Sequence, residues 1–128
     1  MRLIEIRSYK LKPGTTRVFH QLFSKKAVPM LTDWGTEVVA FGPSLHQEDG
    51  YFLIRSYQDL ADLKNRQDHF YGSQEWRNGP REEIVNKIEN SLDTLVWLSE
   101  TGVNDLRRSN QYMDENAGSV SKPVTGTS

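Results

Sequence analysis

The sequence predicts one α+β domain in which an antiparallel β-sheet carries its helices on one face. The chain has 128 residues, the usual size of a single domain. Four segments have the alternating or β-branched pattern of strands, and helical spacing follows the first and the third of them. The second and third strands lie so close in sequence that a hairpin is their simplest connection.

The first strand and the first helix are separated by a short turn. Residues 2–11 alternate apolar and charged side chains with period two, which predicts a strand. Residues 12–14 contain Lys-Pro-Gly and end this strand as a turn. Thr15 or Thr16 then caps a helix whose apolar residues recur at helical spacing. Pro29 lies inside that run, so we expect the helix to kink or shorten there.

The middle of the domain is a predicted hairpin. Gly35 follows the helix in a position suited to a left-handed C-terminal cap. Residues 36–41 read TEVVAF and predict a strand that Gly42 and Pro43 end. A polar stretch turns the chain back into residues 51–57, YFLIRSY, which form the third strand.

The last part of the domain repeats the helix-then-strand order. Asp59 is placed to cap a second helix, which Gly72 ends. Pro80 starts a third helical segment at its first turn. Residues 91–98, SLDTLVWL, supply the fourth strand and close the domain. The order β-α-β-β-α-β is the ferredoxin-like arrangement, in which an antiparallel sheet has its helices on one face.

Each strand then has a side that faces the helices and a side that does not. We predict that the helix-facing sides of the first and third strands are Ile4-Ile6-Ser8 and Phe52-Ile54-Ser56. The opposite sides are Leu3-Glu5-Arg7-Tyr9-Leu11 and Leu53-Arg55-Tyr57. The second set mixes apolar bulk with charges, so we expect something to cover it. A slip of one residue would exchange the two faces.

Composition excludes several classes of function. The 16 basic and 17 acidic residues nearly cancel, so no electrostatic field favours nucleic acid. The chain contains no cysteine, which rules out a disulfide framework, a thiolate zinc site and a thiol nucleophile. The N-terminus lacks the apolar run of a signal peptide or a membrane span. We therefore expect a cytoplasmic protein.

The C-terminal segment differs in composition from the rest. From Thr101 onward Asn, Ser, Gly, Thr and charged residues dominate, and such a segment buries too little apolar surface to offset its ordering entropy. We predict a folded domain over residues 1–99 and a disordered tail over residues 100–128.

Three segments resemble the NIPSNAP family of small dimeric α/β-barrel proteins. They are IEIRSYKLKPG at 4–14, AVPML at 27–31 and FYGSQEWRNGPREEIV at 70–85. The resemblance runs from about residue 2 to residue 98. It implies a homodimer in which two sheets pack face to face as a barrel around a cavity. It implies little about chemistry, since relatives in the wider superfamily include monooxygenases, heme-degrading enzymes and isomerases.

The polar strand face supplies the first candidate site. Its members are Glu5, Arg7, Tyr9, Arg55 and Tyr57, and the tetrapeptide IRSY that contains each Arg-Tyr pair occurs at 6–9 and again at 54–57. Arg7 and Arg55 would stabilise a carboxylate, enolate or phenolate, while Tyr9 or Tyr57 moves a proton. Glu5 would contact the ligand. The alternative is a salt-bridged layer that fixes the register of the dimer.

A second cluster surrounds the break after the second helix. His69, Phe70, Tyr71 and Trp76 are placed to form the rim of a cavity, with His69 as a catalytic proton shuttle and the three aromatic residues as ligand contacts. The alternative is that these aromatic residues pack under the helices. The three histidines lack the spacing of a metal or heme site, so we expect no metal and no cofactor.

Two functions fit these features. The chain binds a small aromatic or carboxylated molecule in the barrel cavity, as a binding protein or as a cofactor-independent monooxygenase or isomerase. Alternatively, it is a structural or interaction module without catalysis. A void bordered by unpaired polar groups would favour ligand binding, whereas an interior filled by the side chains of Tyr9, Tyr57, Phe41 and Trp97 would favour the structural module.

Overall fold

The structure, a computed structural model, describes residues 1–115 and confirms the predicted α+β fold with an antiparallel sheet. The strands are β1 (Arg2–Leu11), β2 (Glu37–Pro43), β3 (Gly50–Tyr57) and β4 (Ile88–Leu98). The helices are α1 (Thr16–Leu22), α2 (Val28–Asp33), α3 (Leu60–Tyr71), α4 (Gln74–Arg77), α5 (Arg81–Val85) and α6 (Glu100–Glu115). A π-helical turn, Phe23–Ala27, joins α1 to α2.

The sheet has the order β2-β3-β1-β4, with every neighbouring pair antiparallel. The two IRSY segments therefore lie on adjacent central strands. They are offset, because Arg55 is opposite Glu5 and Arg7 is opposite Leu53. This offset places one carboxylate between two arginine side chains.

The first helical segment is irregular one turn before the proline. Pro29 lies at the start of α2, where a missing N–H costs least, and the π-helical turn directly precedes that helix. Gly35 ends the segment with a φ of +88°, as the predicted left-handed cap requires. The chain then enters β2.

The predicted assignment of the two sheet faces is wrong. The side that carries Glu5, Arg7 and Tyr9 faces α1 to α5, and we call it the inner face. Tyr9 and Leu53 share one buried cluster with helical side chains such as Phe19 and Phe70. Both faces are rich in apolar residues, so the period-two pattern gave no preference. The larger aromatic residues of the inner face pack edge-on against the helical phenylalanines, which fixes the choice.

The prediction of a disordered tail is wrong for residues 100–115, which form α6. This helix packs on the other side of the sheet, the outer face. Val103 is buried there in a cluster with four sheet residues: Ile4, Val39, Ala40 and Ile54. A few apolar residues on α6 are enough to hold the helix in place, because the apolar outer face of the sheet supplies the rest of the buried surface. Residues 116–128 of the predicted tail lie outside the described residues.

The outer edge of β4 has no strand paired with it in the described part of the chain. This strand lies at the edge of the sheet, and its large apolar side chains remain exposed: Leu92, Leu95, Val96 and Trp97. An edge strand with uncovered apolar side chains is a surface on which another chain can pack. Across residues 1–115, no helix has both the length and the apolar character needed to cross a bilayer.

Candidate ligand-binding site

A buried ion pair forms the base of the site. Glu5 lies on β1 directly opposite Arg55 on β3. Arg55 donates from Nε to Glu5 Oε1 at 2.8 Å, and its Nη2 lies 2.6 Å from the same oxygen. The side chain of Arg55 is completely buried and that of Glu5 is 3% exposed. Each charge therefore depends on the other for compensation.

Arg7 extends the pair toward the edge of the sheet. Its Nη2 donates to Glu5 Oε2 at 3.2 Å, and its Nε and Nη2 donate to the two oxygens of Asp93 on β4 at 2.8 and 3.0 Å. Burial by itself would lower the pKa of Arg7, but the bond to Asp93 and the nearby Glu5 hold that pKa above its usual value. Arg7 is therefore a permanent cation.

Helix α3 closes the network from above the sheet. Gln67 donates from Nε2 to Glu5 Oε2 at 3.1 Å and to the Tyr57 hydroxyl at 3.2 Å. Four residues later on the same helix face, the Tyr71 hydroxyl accepts from Arg55 Nη1 at 2.9 Å and from Arg7 Nη1 at 3.2 Å. Both arginines are thus held in place from two elements.

A cavity of about 250 Å³ lies beside this network, between the inner face and the helices. Its polar lining residues are Arg7, Tyr9, Tyr71 and Ser91. The remaining lining residues are apolar: Phe23, Ala27, Leu31, Leu53, Phe70, Trp76, Ile84, Val85 and Ile88. A dry cavity of about 150 Å³ suffices for benzene, and typical ligand pockets begin near 300 Å³. The size therefore suits one aromatic ring or a small fused pair.

Tyr9 is a protonated phenol at the wall of this cavity. Burial raises the pKa of its hydroxyl to about 12, and the nearby Arg7 and Arg55 only partly oppose the shift. Burial also raises the pKa of Tyr57. Both phenols keep their protons at neutral pH, so neither is suited to act as a base.

The structure brings together most of the predicted site residues. Arg7, Tyr9, Phe70, Tyr71 and Trp76 line the cavity. Glu5, Arg55 and Tyr57 lie outside its lining, and Glu5 and Arg55 hold Arg7 and Tyr71 in place.

His69 does not join this group, because it lies exposed on the outside of α3. It is two residues from both Gln67 and Tyr71, and that spacing turns its side chain to the opposite side of the helix.

Sequence reasoning missed three functional residues. Gln67 shares a helix face with Tyr71, which the spacing of four could have shown. Asp93 lies opposite Arg7, which needs the register between β1 and β4. Ala27 borders the cavity at the end of the π-helical turn, for which the sequence carries no simple signal.

A second, wider groove of about 450 Å³ lies at the end of the sheet against the loop 44–49. It shares Tyr9 and Ser91 with the inner cavity, but it is open to solvent and bordered by exposed loop residues such as Leu45. Among the side chains that the structure describes, those of residues 1–110, no group of three or more His, Asp or Glu is arranged to hold a metal ion. The inner cavity is therefore the better candidate site.

Comparison with known proteins agrees with this fold. The sequence pattern of the NIPSNAP family matches residues 4–100. A NIPSNAP family protein from Agrobacterium tumefaciens is similar in structure, with a TM-score of 0.71 at 14% identity over 80% of this chain and 90% of that one. An uncharacterised NIPSNAP-like domain protein from Burkholderia xenovorans gives a TM-score of 0.71 at 18% identity over 77% and 86%.

A provisionally named antibiotic biosynthesis monooxygenase from Bordetella bronchiseptica is also similar, with a TM-score of 0.62 at 18% identity over 77% of this chain and 97% of that one. No curated protein matches the sequence. At these identities the solved structures establish the fold alone.

Proposed function

This chain belongs to the NIPSNAP family, and on that premise we propose that it binds a small aromatic molecule bearing a carboxylate or phenolate in the inner cavity. The observation that carries the proposal is the hydrogen-bonding character of the cavity wall. The guanidinium of Arg7 places a positive charge at the wall, and the hydroxyls of Tyr9 and Tyr71 each keep a proton that a ligand can accept. A wall of donors selects an acceptor.

The donor count follows from the contacts. A tyrosine hydroxyl has one proton and two acceptor lone pairs, and on Tyr71 both acceptor positions face Arg7 and Arg55. Only its proton is left for a ligand. Arg7 has five N–H groups, and its bonds to Glu5, Asp93 and Tyr71 use four of them. Arg7 also makes a side-chain hydrogen bond to the Tyr9 hydroxyl, so a ligand oxygen would share the Arg7 guanidinium with that hydroxyl and accept the protons of Tyr9 and Tyr71.

The charge distribution favours an anionic ligand. Glu5 and Asp93 formally balance Arg7 and Arg55, but the side chain of Asp93 is 42% exposed and screened by solvent. The side chain of Arg7 is 18% exposed and borders the cavity. Because the apolar lining keeps the local dielectric low, its attraction for an oxyanion is strong.

Calorimetric titration with three ligands of similar shape tests the proposal. We expect benzoate to bind more tightly than benzyl alcohol, and benzylamine not to bind. A charge-assisted hydrogen bond is worth about 1.5–3 kcal/mol, so Arg7→Met should weaken benzoate binding about tenfold to a hundredfold. Arg66→Met is the matched control, since Arg66 lies exposed on α3 and pairs with Asp62.

Loss of Arg7 also unpairs Asp93, so a gentler variant is needed. Tyr9→Phe removes one hydroxyl from the cavity wall and keeps the ring. We expect its melting temperature to stay near that of the wild type while benzoate affinity falls about fivefold to tenfold. The proposal fails if benzylamine binds as well as benzoate, or if both variants keep full affinity.

The enzymatic form of the proposal is a cofactor-independent monooxygenase or isomerase. In either reaction Arg7 stabilises an oxyanion and Tyr9 donates a proton, while Glu5 and Arg55 position Arg7. The named monooxygenase among the similar structures supports oxygenation as the first reaction to test. An oxygen electrode with electron-rich phenols as substrates measures it. Consumption by the wild type that Arg7→Met abolishes would support oxygenation.

We also propose that two copies associate along β4. Its exposed apolar side chains need a partner surface, and α6 already covers the part of the outer face formed by β1, β2 and β3. Native mass spectrometry at micromolar concentration should show a dimer. Val96→Lys should shift it to monomer while its circular dichroism spectrum stays that of the folded chain, and a wild-type protein that stays monomeric would contradict the association.

The structural-module alternative loses its main support. It required the polar strand face to be the seam between two sheets, but that face lies under five helices. It also required a filled interior, whereas the cavity of about 250 Å³ is open beside Arg7. The cavity supports ligand binding.

A further inference from the structure

A row of buried side chains four residues apart passes along one wall of the cavity. Phe19, Phe23, Ala27 and Leu31 are each at most 3% exposed and pack against the inner face, and the last three of them line the cavity. Three members of this row are bulky. Ala27 is the exception, and it borders the cavity.

The π-helical turn keeps this row aligned. In a regular α-helix, with 3.6 residues per turn, every fourth residue advances by about 40°, so a row of four drifts around the helix. The π-helical turn has more residues per turn, and its wider winding reduces the drift. The N–H of Val28 donates to the carbonyl of Phe23, five residues earlier, which identifies this winding. The turn therefore holds Ala27 on the cavity side.

A larger side chain at this position would enter the cavity. The side chain of Ala27 is a single methyl group, and leucine, the next residue type in the row, adds three carbon atoms. The other walls include the aromatic groups of Phe23, Phe70 and Trp76, which belong with Ala27 to one buried cluster. A leucine would therefore occupy volume that a ligand needs.

We propose that Ala27 is the residue that sets the largest ring system the cavity admits. The inference rests on the proposed function, because it concerns the size of the same aromatic ligand. In this account Arg7 and the two tyrosines select the acceptor group of the ligand. Ala27 selects the length of its apolar part, so the cavity admits both a one-ring and a fused two-ring carboxylate.

Titration of a size series against a series at position 27 tests the proposal. The probes are benzoate and 2-naphthoate, and the variants are Ala27→Val and Ala27→Leu. Misfit of one methylene in an apolar pocket costs about tenfold or more in affinity. We expect the affinity of Ala27→Val for 2-naphthoate to fall about tenfold or more, while its affinity for benzoate stays within about threefold of the wild type. Ala27→Leu should bind neither probe.

Two controls separate cavity filling from general damage. Ala61→Leu makes the same change on the exposed side of α3 and should bind both probes like the wild type. The melting temperature of Ala27→Leu should be no lower than that of the wild type, because the added carbon atoms fill existing space.

The outcomes are distinct. If the wild type binds both probes and Ala27→Leu binds them equally well, the role of Ala27 is wrong and the proposed function stands. If Ala27→Val loses both probes by the same factor, the size selection is overturned. If the wild type binds neither probe, the proposed function fails and this inference fails with it.

Discussion

The two faces of the sheet bury comparable strands in different ways. The inner face carries charged and phenolic groups in a connected network, and five short helices cover it around a cavity. The outer face is apolar at its centre, where the single helix α6 covers it, and its charges stay at the rim. The contacts of the outer face are packing contacts that stabilise the fold. The inner face carries buried charge beside an open volume, which is typical of a binding site.

The largest effect should come from breaking the inner network. Glu5→Gln leaves Arg55 buried with no carboxylate, and breaking one partner of a buried pair costs about 3–5 kcal/mol. Urea unfolding of the variant and of the wild type measures this loss in the free energy of unfolding. A loss below about 1 kcal/mol would show that Arg55 finds compensation elsewhere, and the inner face would then resemble the outer one.

The outer face should lose less, through packing alone. Val103→Ala removes two buried methyl groups between α6 and the sheet, at a cost of about 2 kcal/mol. Hydrogen exchange should rise in α6 and not at the inner face. Val18→Ala, at a half-exposed position of α1, is the control and should change little. Equal exchange in both layers would contradict the separation of the two faces.

Alkaline pH should weaken the inner face selectively. The folded pKa of Tyr9, about 12, lies above its usual value of 10.0, so the folded state holds the proton more tightly than the unfolded state. The contribution of this shift to the free energy of unfolding is fully present below pH 10 and falls as pH rises from 10 to 12. Tyr9→Phe should flatten this part of the stability curve, measured by urea unfolding at stepped pH. An unchanged slope would contradict the shift.

The smallest effect belongs to the rim of the outer face. Glu37 pairs there with Arg2 at 2.8 Å and with Arg107 from α6, and its side chain is 39% exposed. Exposed pairs contribute about 0–1 kcal/mol, so Glu37→Gln should cost less than about 1 kcal/mol. High salt should remove even that difference. A cost comparable with that of Glu5→Gln would remove the contrast between the faces.

Much of the fold could be predicted because its signals are local. Asp59 accepts a hydrogen bond from the backbone N–H of Asp62 at 2.8 Å, as expected of a helix cap, and Gly72 ends α3. Ser99 begins α6 with the same geometry, since its hydroxyl accepts from the backbone N–H of Gly102. That cap was present in the sequence, but the polar composition after it outweighed the signal.

The faces could not be predicted, because alternation shows that two sets of side chains separate without showing which set meets the helices. The choice depended on how Tyr9 and Tyr51 fit against Phe19 and Phe23 in three dimensions. Glu5 lies against both arginines, because the pairing of β1 with β3 places Arg55 opposite Glu5 and Arg7 is two residues along the same strand face. The position of this cluster beneath the helices was not predicted.

The most direct test of the central claim is to locate a bound ligand. A crystal of the protein soaked with 4-iodobenzoate would show the iodine by its anomalous scattering. We predict the iodine among the apolar residues near Ala27 and Trp76, with the carboxylate against Arg7 and Tyr9. Iodine in the groove beside the loop 44–49, with the inner cavity left empty, would contradict the account.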